Sequence, residues 1–379
     1  VSEEVAGSQS ALPPLNDQQL VDWLRLIRTE TIGPTTFRLL VNRFGGAANA
    51  LAALPELSKR GGRLVTPPSA DKALAEIAAL TRAGGRFLAL GEPDYPQALR
   101  HVDAPPPLLA VIGNSSLLVR RTVSIVGSRD ASALGRRFAR DVAFELGAAG
   151  WVIASGLARG IDQAAHEGSI KTGTIAVLAG GLDKPYPPEC LPLYERIRDE
   201  GAAISEMAMG HTPVARDFPR RNRIVAGVSF GVLVVEAALR SGSLITARLA
   251  NEMGREVFAV PGHPLDLRAG GTNKLIRDGA TMATGAADIL EALEPMTTER
   301  LPRQNPVLFR NDAPELALED PTPGARATIL ALLGPTPVEL DDLIRESGEP
   351  AGVVQLVLVE LELAGRLIRT GGSRIALLP

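Results

Sequence analysis

Apolar residues first recur at helical spacing. Leu20, Trp23, Leu24 and Ile27 fall at i, i+3, i+4 and i+7, so they share one face of a helix. Thr31-Ile32-Gly33-Pro34 breaks that helix, and Phe37, Leu40, Val41 and Phe44 start a second one that stops at Gly45-Gly46, a good C-cap pair. Residues 61–120 are rich in proline. Tyr95-Pro96 and Pro105–Pro107 stand beside Leu108, Leu109 and Val111, and the stretch reads as an irregular connector packed on a core. From Thr122 the pattern changes. Short apolar runs at Thr122–Val126, Trp151–Ala154, Thr174–Leu178, Ala202–Ile204, Val232–Val235 and Glu256–Val260 alternate with helical segments. The first of these helices carries Leu134, Phe138, Val142 and Leu146, spaced by four. Strands alternating with helices predict βαβ units and a parallel sheet. Unbroken apolar runs predict strands buried on both faces. The expectation is an α/β fold, a doubly wound parallel sheet over 121–293 that places ligands at the carboxyl ends of its strands.

Two flanks complete the pattern. Residues 1–15 read as a loose tail. Pro295, Pro302, Pro306 and Pro314 among charges mark 294–321 as a linker. Residues 322–379 read as two helices followed by a short hairpin around Gly371-Gly372, which suggests a winged helix. This segment carries five arginines against seven carboxylates, and Leu356–Leu363 holds Glu360 and Glu362 with no basic residue. Winged helices that bind duplex DNA carry a basic recognition helix, so a protein-contact or structural role is expected here. The helix–Gly-Pro–helix pattern of 16–60 resembles a SAM-like or helix-hairpin-helix module.

Composition sharpens the picture. A length of 379 residues predicts two or three domains. The net charge of −3 means that any nucleic-acid site is a local basic patch. The single cysteine, Cys190, excludes a disulfide framework within the chain and any multi-cysteine metal site. The longest charge-free stretch, Ala104–Val119, is 16 residues and is broken by three prolines, so no membrane span is expected. Glu3 and Glu4 head a segment with no apolar core, which makes a cytoplasmic protein the expectation.

Five loops carry candidate chemistry. Gly127-Ser128-Arg129 sits at a strand end before a helix, where glycine allows close backbone approach and free N–H groups face an anion. Ser155-Gly156-Leu157-Ala158-Arg159-Gly160 does the same after the next strand. Arg216-Asp217-Phe218-Pro219-Arg220-Arg221-Asn222-Arg223 packs four arginines and an aromatic into eight residues. Arginines neutralise a phosphate backbone, and an aromatic face stacks on a base. Ser241–Thr246 and Gly270-Gly271-Thr272-Asn273-Lys274 could add hydroxyls and a cation to the rim, or simply open helices. Other chemistries find no pattern. There is no Walker-type G-x-x-x-x-G-K-[ST] and no G-x-G-x-x-G after the first strand. The histidines at 101, 166, 211 and 263 show no metal-ligand spacing with Cys190. Gly227-Val228-Ser229-Phe230-Gly231 matches G-x-S-x-G but precedes a strand, the reverse of a nucleophile elbow. Asp162 and His166, at i and i+4, read as a pair on one helix face.

Taken in order, Ile125–Arg129, Ser155–Asp162, Phe218–Ile224, Glu236, Ser241–Ala247 and Val260-Pro261-Gly262 resemble the bacterial DNA-processing protein A family (DprA/Smf). The resemblance is strong over about 95–290 and architectural in the flanks. It implies an extended Rossmann-like domain that is not an enzyme and needs no cofactor. It further implies binding of single-stranded DNA during natural transformation, delivery of RecA onto that strand, and a homodimer formed through the Rossmann-like domain. Carried over by motif, the DNA-binding positions are Gly127, Ser128, Arg129, Ser155, Gly156, Arg159, Arg220, Arg221, Asn222 and Arg223, with Phe218 and Lys274 as further candidates. The competing reading is a nucleoside-monophosphate-binding hydrolase of the phosphoribohydrolase type. That class resembles the chain in its Gly-Ser turn but needs a Pro-Gly-Gly-x-Gly-Thr-x-x-Glu run, which is absent. Asp162 and Glu236 would be its only sensible acids.

Overall fold

A computed structural model describes residues 14–298, 320–370 and 374–378. The predicted tail and most of the predicted linker therefore lie outside the described residues. Residues 76–298 form one compact unit, and residues 15–75 with 320–378 form another.

The N-terminal helices follow their local signals. Helix α1 (Asp17–Ile27) begins in a capping box: Asn16 Oδ1 accepts from Gln19 N at 2.9 Å and Gln19 Oε1 from Asn16 N at 3.0 Å. Trp23 and Leu24 on its predicted face are buried. Helix α2 (Pro34–Phe44) has its proline in the first turn and ends at Gly45, φ 70°. Helix α3 (Ala47–Gly61) follows, and α4 (Ala70–Arg82) leads on to the sheet.

The sheet unit runs β1 (Gly85–Ala89), α5 (Gln97–Arg100), β2 (Leu108–Gly113), β3 (Thr122–Gly127), α6 (Ala133–Ala148), β4 (Val152–Ser155), α7 (Ile161–Ser169) and β5 (Thr174–Val177). It continues with α8 (Leu191–Glu200), β6 (Ala202–Ser205), α9 (Asp217–Gly227), β7 (Gly231–Val235), α10 (Ser243–Glu252) and β8 (Glu256–Ala259). It closes with α11 (Gly270–Arg277), β9 (Thr281–Met282) and α12 (Ala286–Thr298). The nine strands lie in the order β1-β2-β6-β5-β4-β3-β7-β8-β9. All pairings from β6 to β9 are parallel. The chain builds outward from β3 to β6 on one side, then returns to start β7 on the other. The order therefore reverses between β3 and β7, the place where doubly wound sheets bind ligands. Successive residues of the central strands are buried, so both faces are covered; on one of them α6 packs Ala139, Val142 and Leu146 against Val123, Ile125, Ile153 and Leu233.

The predicted parallel strands appear within a residue or so of their expected ends. The expected irregular connector over 61–120 does not. It supplies α4, β1, α5 and β2, and β2 pairs antiparallel with both β1 and β6. The prolines mask these strands in the sequence because they stand outside the ladder. Pro96 precedes α5, and Pro105–Pro107 end just before β2, whose residues Leu108–Ile112 are all buried. The predicted linker also begins late, since α12 continues through Pro295 to Thr298.

In the second unit, α13 (Pro323–Leu332), β10 (Val338–Glu339), α14 (Leu340–Ser347), α15 (Ala351–Leu363), β11 (Leu367–Thr370) and β12 (Arg374–Leu377) make a winged helix. It has three helices where two were expected, and a sheet of order β10-β12-β11.

Candidate nucleic-acid interface

The switch point of the sheet opens into a crevice of about 490 Å³, bounded by the loops after β3, β4 and β7 and by the start of α9. A second hollow of about 200 Å³ adjoins it beside Tyr186 and Arg159.

Glycines set its floor. A Cβ on Gly127 would stand 1.9 Å from Val235 O, so only glycine lets β3 end against β7. Gly160 has φ +80°, and its Cβ would stand 2.3 Å from Ser128 O. The same Ser128 carbonyl accepts the Ile161 N–H at 3.2 Å. The first two predicted loops thus lean on each other, backbone to backbone.

The polar side chains then divide. Ser155 is fully buried and donates to Ile125 O at 2.6 Å, holding β4 to β3. Arg221 is 6% exposed. Its guanidinium donates to Val177 O at 2.6 Å and to Gly156 O. Burial lowers its pKa to about 10 against the opposing pull of Asp162. Asp162 is buried too; burial raises its pKa, and its carboxylate accepts from Ala158 N at 3.2 Å. Arg221 and Asp162 form a buried charge system beneath the crevice. Above it, Arg129, Arg159 and Arg240 are exposed, and among the described residues none has a carboxylate within ion-pair distance. Arg129 lies over the Phe218 ring at 5.3 Å, and Phe218 meets Tyr186 edge to face at 5.8 Å. Asn222 lines the crevice next to Ser241 and Ser243, whose hydroxyls are 2.7 Å apart.

The fold thus brings Gly127, Ser128, Arg129, Gly156, Arg159, Phe218, Arg221 and Asn222 to one place. Arg220 and Arg223 line neither hollow. Both grip the buried Glu206, Arg220 Nε at 2.8 Å, and Arg223 also donates to Ala104 O at 2.7 Å. Lys274, on α11, is ion-paired with Asp278 just past that helix and lines neither hollow. Arg240 and Tyr186 were missed in the sequence. Arg240 had a signal, since it immediately precedes the Ser241-Gly242-Ser243 loop; Tyr186, between Pro185 and Pro187, had none.

The acids expected of a hydrolase are otherwise engaged. Glu236 lines a separate apolar hollow and anchors the start of α6, accepting from Ser132 N at 2.8 Å and Ser132 Oγ at 2.5 Å. The expected Asp162–His166 pair is not formed. His166 is fully buried, with Nδ1 2.7 Å from Thr174 Oγ1, because α7 packs that face against β5. Burial, aided by Arg221, lowers its pKa to about 3 from the ordinary 6.5. Between those values the unfolded chain binds a proton that the folded chain refuses. Stability should therefore fall as pH drops below about 6.5, by about 1.4 kcal/mol per unit from this residue. Urea midpoints of His166→Gln should decline less steeply over that window than those of the native sequence. Equal slopes would assign the acid sensitivity elsewhere.

Among the described residues no helix is long and apolar enough to cross a membrane, and no group of three His, Cys, Asp or Glu is placed to hold a metal ion.

Comparison with known proteins places this geometry. The family model for DNA recombination-mediator protein A matches residues 86–294, the whole crevice included. The chain belongs to the DprA/Smf family. The DprA-like N-terminal HHH domain matches 17–79 and the DprA winged helix domain 313–373. Protein Smf of Synechocystis is 32% identical over 391 residues, covering 93% of this chain and 97% of its own. Protein Smf of Escherichia coli is 39% identical over 290 residues and 75% of each chain. The solved DprA of Streptococcus pneumoniae aligns with TM-score 0.60 and 33% identity, over 73% of this chain and 98% of that one. The Helicobacter pylori DNA processing protein A, described for its single-stranded DNA binding mode, aligns with TM-score 0.51 and 29% identity over 55% and 96%. The family membership and the Rossmann-like, HHH and winged-helix organisation thus agree with the resemblance seen in the sequence.

Proposed function

We propose that this DprA/Smf protein binds single-stranded DNA in the crevice between β3 and β7. The observation that carries the proposal is the set of three exposed arginines, Arg129, Arg159 and Arg240, without a carboxylate partner among the described residues, around exposed Tyr186 and half-buried Phe218 at the sheet's switch point. Phosphates take the arginines, the Gly127–Ser128 backbone and the Asn222 amide, while the Gly156 backbone, engaged by Asp162 and Arg221, supports the floor. An unstacked base takes the Phe218–Tyr186 faces, which a base held in a duplex cannot reach. Ser155 and Arg221 shape the site from below. Arg220, Arg223 and Lys274 meet the strand only where it leaves the crevice. The Helicobacter relative's single-stranded DNA binding supports this reading.

Bound strand would then be handed to RecA in the cytoplasm during natural transformation and recombination. A homodimer through the Rossmann-like domain would set two crevices on one strand and raise avidity. Loss of the Phe218 and Tyr186 rings together should weaken single-strand binding by about 1–3 kcal/mol per stacked base while leaving duplex binding unchanged. A competition titration with duplex checks this; equal losses on both substrates would remove the base-stacking role. RecA filament growth on single strands, with and without the protein, tests the loading step. Sedimentation showing only monomer would remove the dimer.

A further inference from the structure

A winged helix that reads duplex DNA lays one helix of its helix-turn-helix in the major groove. In this chain the helix at that place, α15, has two buried faces. Val353, Val354, Val357, Leu358 and Leu361 fill the winged helix's own core. The opposite stripe, Leu356, Val359, Glu360 and Leu363, is buried as well. A helix buried on two opposite faces is a helix enclosed by protein.

What encloses the second stripe is the N-terminal module. A Cβ on Gly61, the last residue of α3, would stand 1.9 Å from Glu360 O, so the two helices touch backbone to backbone. Thr31 Oγ1 donates to Leu363 O at 3.1 Å, and Arg366 Nη1 to Gly61 O at 3.3 Å. Leu39 and Leu40 of α2 face Leu356 and Val359 across a hollow of about 220 Å³. The Glu360 carboxylate, 2% exposed, receives both arms of the Arg326 guanidinium at 2.9 Å, with Arg60 of α3 at 3.8 Å. At the rim Asp320 bridges Arg43 and Arg60 at 3.5 and 3.2 Å. A carboxylate this buried needs such partners, since an uncompensated charge there is costly.

We infer that the winged helix is the docking partner of residues 15–75 of its own chain. The two ends of the sequence form one folding unit, and α15 is a docking helix that does not read duplex DNA. This explains an acidic winged helix in a DNA-processing protein: its recognition face recognises protein.

The test uses the full chain with a specific protease site inserted between Arg303 and Glu315. After cleavage, the C-terminal fragment should stay bound and co-elute one to one in native size exclusion. Gly61→Val, which leaves the winged helix's sequence untouched, and Leu356→Arg, which lies outside its core, should each release it. Gln355→Ala, at the half-buried polar position of α15, should leave duplex affinity unchanged in the uncleaved chain. A native fragment that separates on cleavage, retention in both variants, or a loss of duplex binding in Gln355→Ala would each overturn the inference.

Discussion

Alanine at Arg129, Arg159 and Arg240 together should lower affinity for single-stranded DNA about a thousandfold at low salt, with the fold intact. All three side chains are exposed and have no carboxylate partner among the described residues. Their charge is therefore available to a ligand. A charge-assisted hydrogen bond contributes about 1.5–3 kcal/mol, so three lost contacts sum to at least about 4 kcal/mol. At about 1.4 kcal/mol per decade, that is a thousandfold. The log–log salt slope should also shrink by about 2, since each neutralised phosphate on a single strand contributes about 0.7. Stability should move little, because exposed substitutions of this kind stay within about 0.5 kcal/mol each. Filter binding beside a denaturant melt separates the two effects. Unchanged affinity with an unchanged melt would put the DNA elsewhere on the molecule.

Arg221→Ala should do the opposite and lower stability first. Arg221 is buried, its guanidinium donates to Val177 O and Gly156 O, and it is the cation facing buried Asp162. Removing it leaves a carboxylate without its counter-charge and takes one donor from each of two carbonyls. The cost expected for a broken buried pair is about 3–5 kcal/mol. For a unit of this size that lowers the melting temperature by roughly 10 °C. Arg221→Lys should restore only part of this, because a shorter ammonium loses the Nε–H that Arg221 donates to Asn222 Oδ1 at 3.2 Å while its Nη1 serves both carbonyls. A melt of Arg221→Ala like the native one, with binding lost, would make Arg221 a direct DNA ligand instead of a support.

The α/β organisation was legible because alternating runs such as Thr122–Val126 and Val232–Val235 carry the strand signal in their own residues. The loops at Gly127–Arg129 and Ser155–Gly160 were legible for a related reason: a strand end, a glycine and a helix start are all local. Side-chain direction was not. Four arginines around Phe218 look alike in sequence, but the turn of α9 sends Arg221 under the crevice and Arg220 and Arg223 toward Glu206. The pairing depends on Glu206 lying just past β6, which no local pattern announces. Ser155 resembled a phosphate ligand, yet its hydroxyl is spent on Ile125 O. Strands β1 and β2 were hidden by the prolines of the segment between them, Pro93, Pro96 and Pro105–Pro107. In α15 the two glutamates drew attention to charge, while the apolar Leu356–Val359 run before them, a full turn of the helix, already marked a helix enclosed on two sides.

The most direct measurement of the central claim is fluorescence anisotropy of a labelled single strand of about 35 nucleotides across a salt series, with duplex competitor. The native protein and Arg159→Ala are compared. The native protein should bind the single strand in preference to duplex. With about five phosphates neutralised, its log affinity should fall against log salt with a slope of roughly −3.5, and Arg159→Ala should bind more weakly with a shallower slope. A native slope near zero, or an Arg159→Ala curve that overlays the native one, would contradict the crevice as the DNA site.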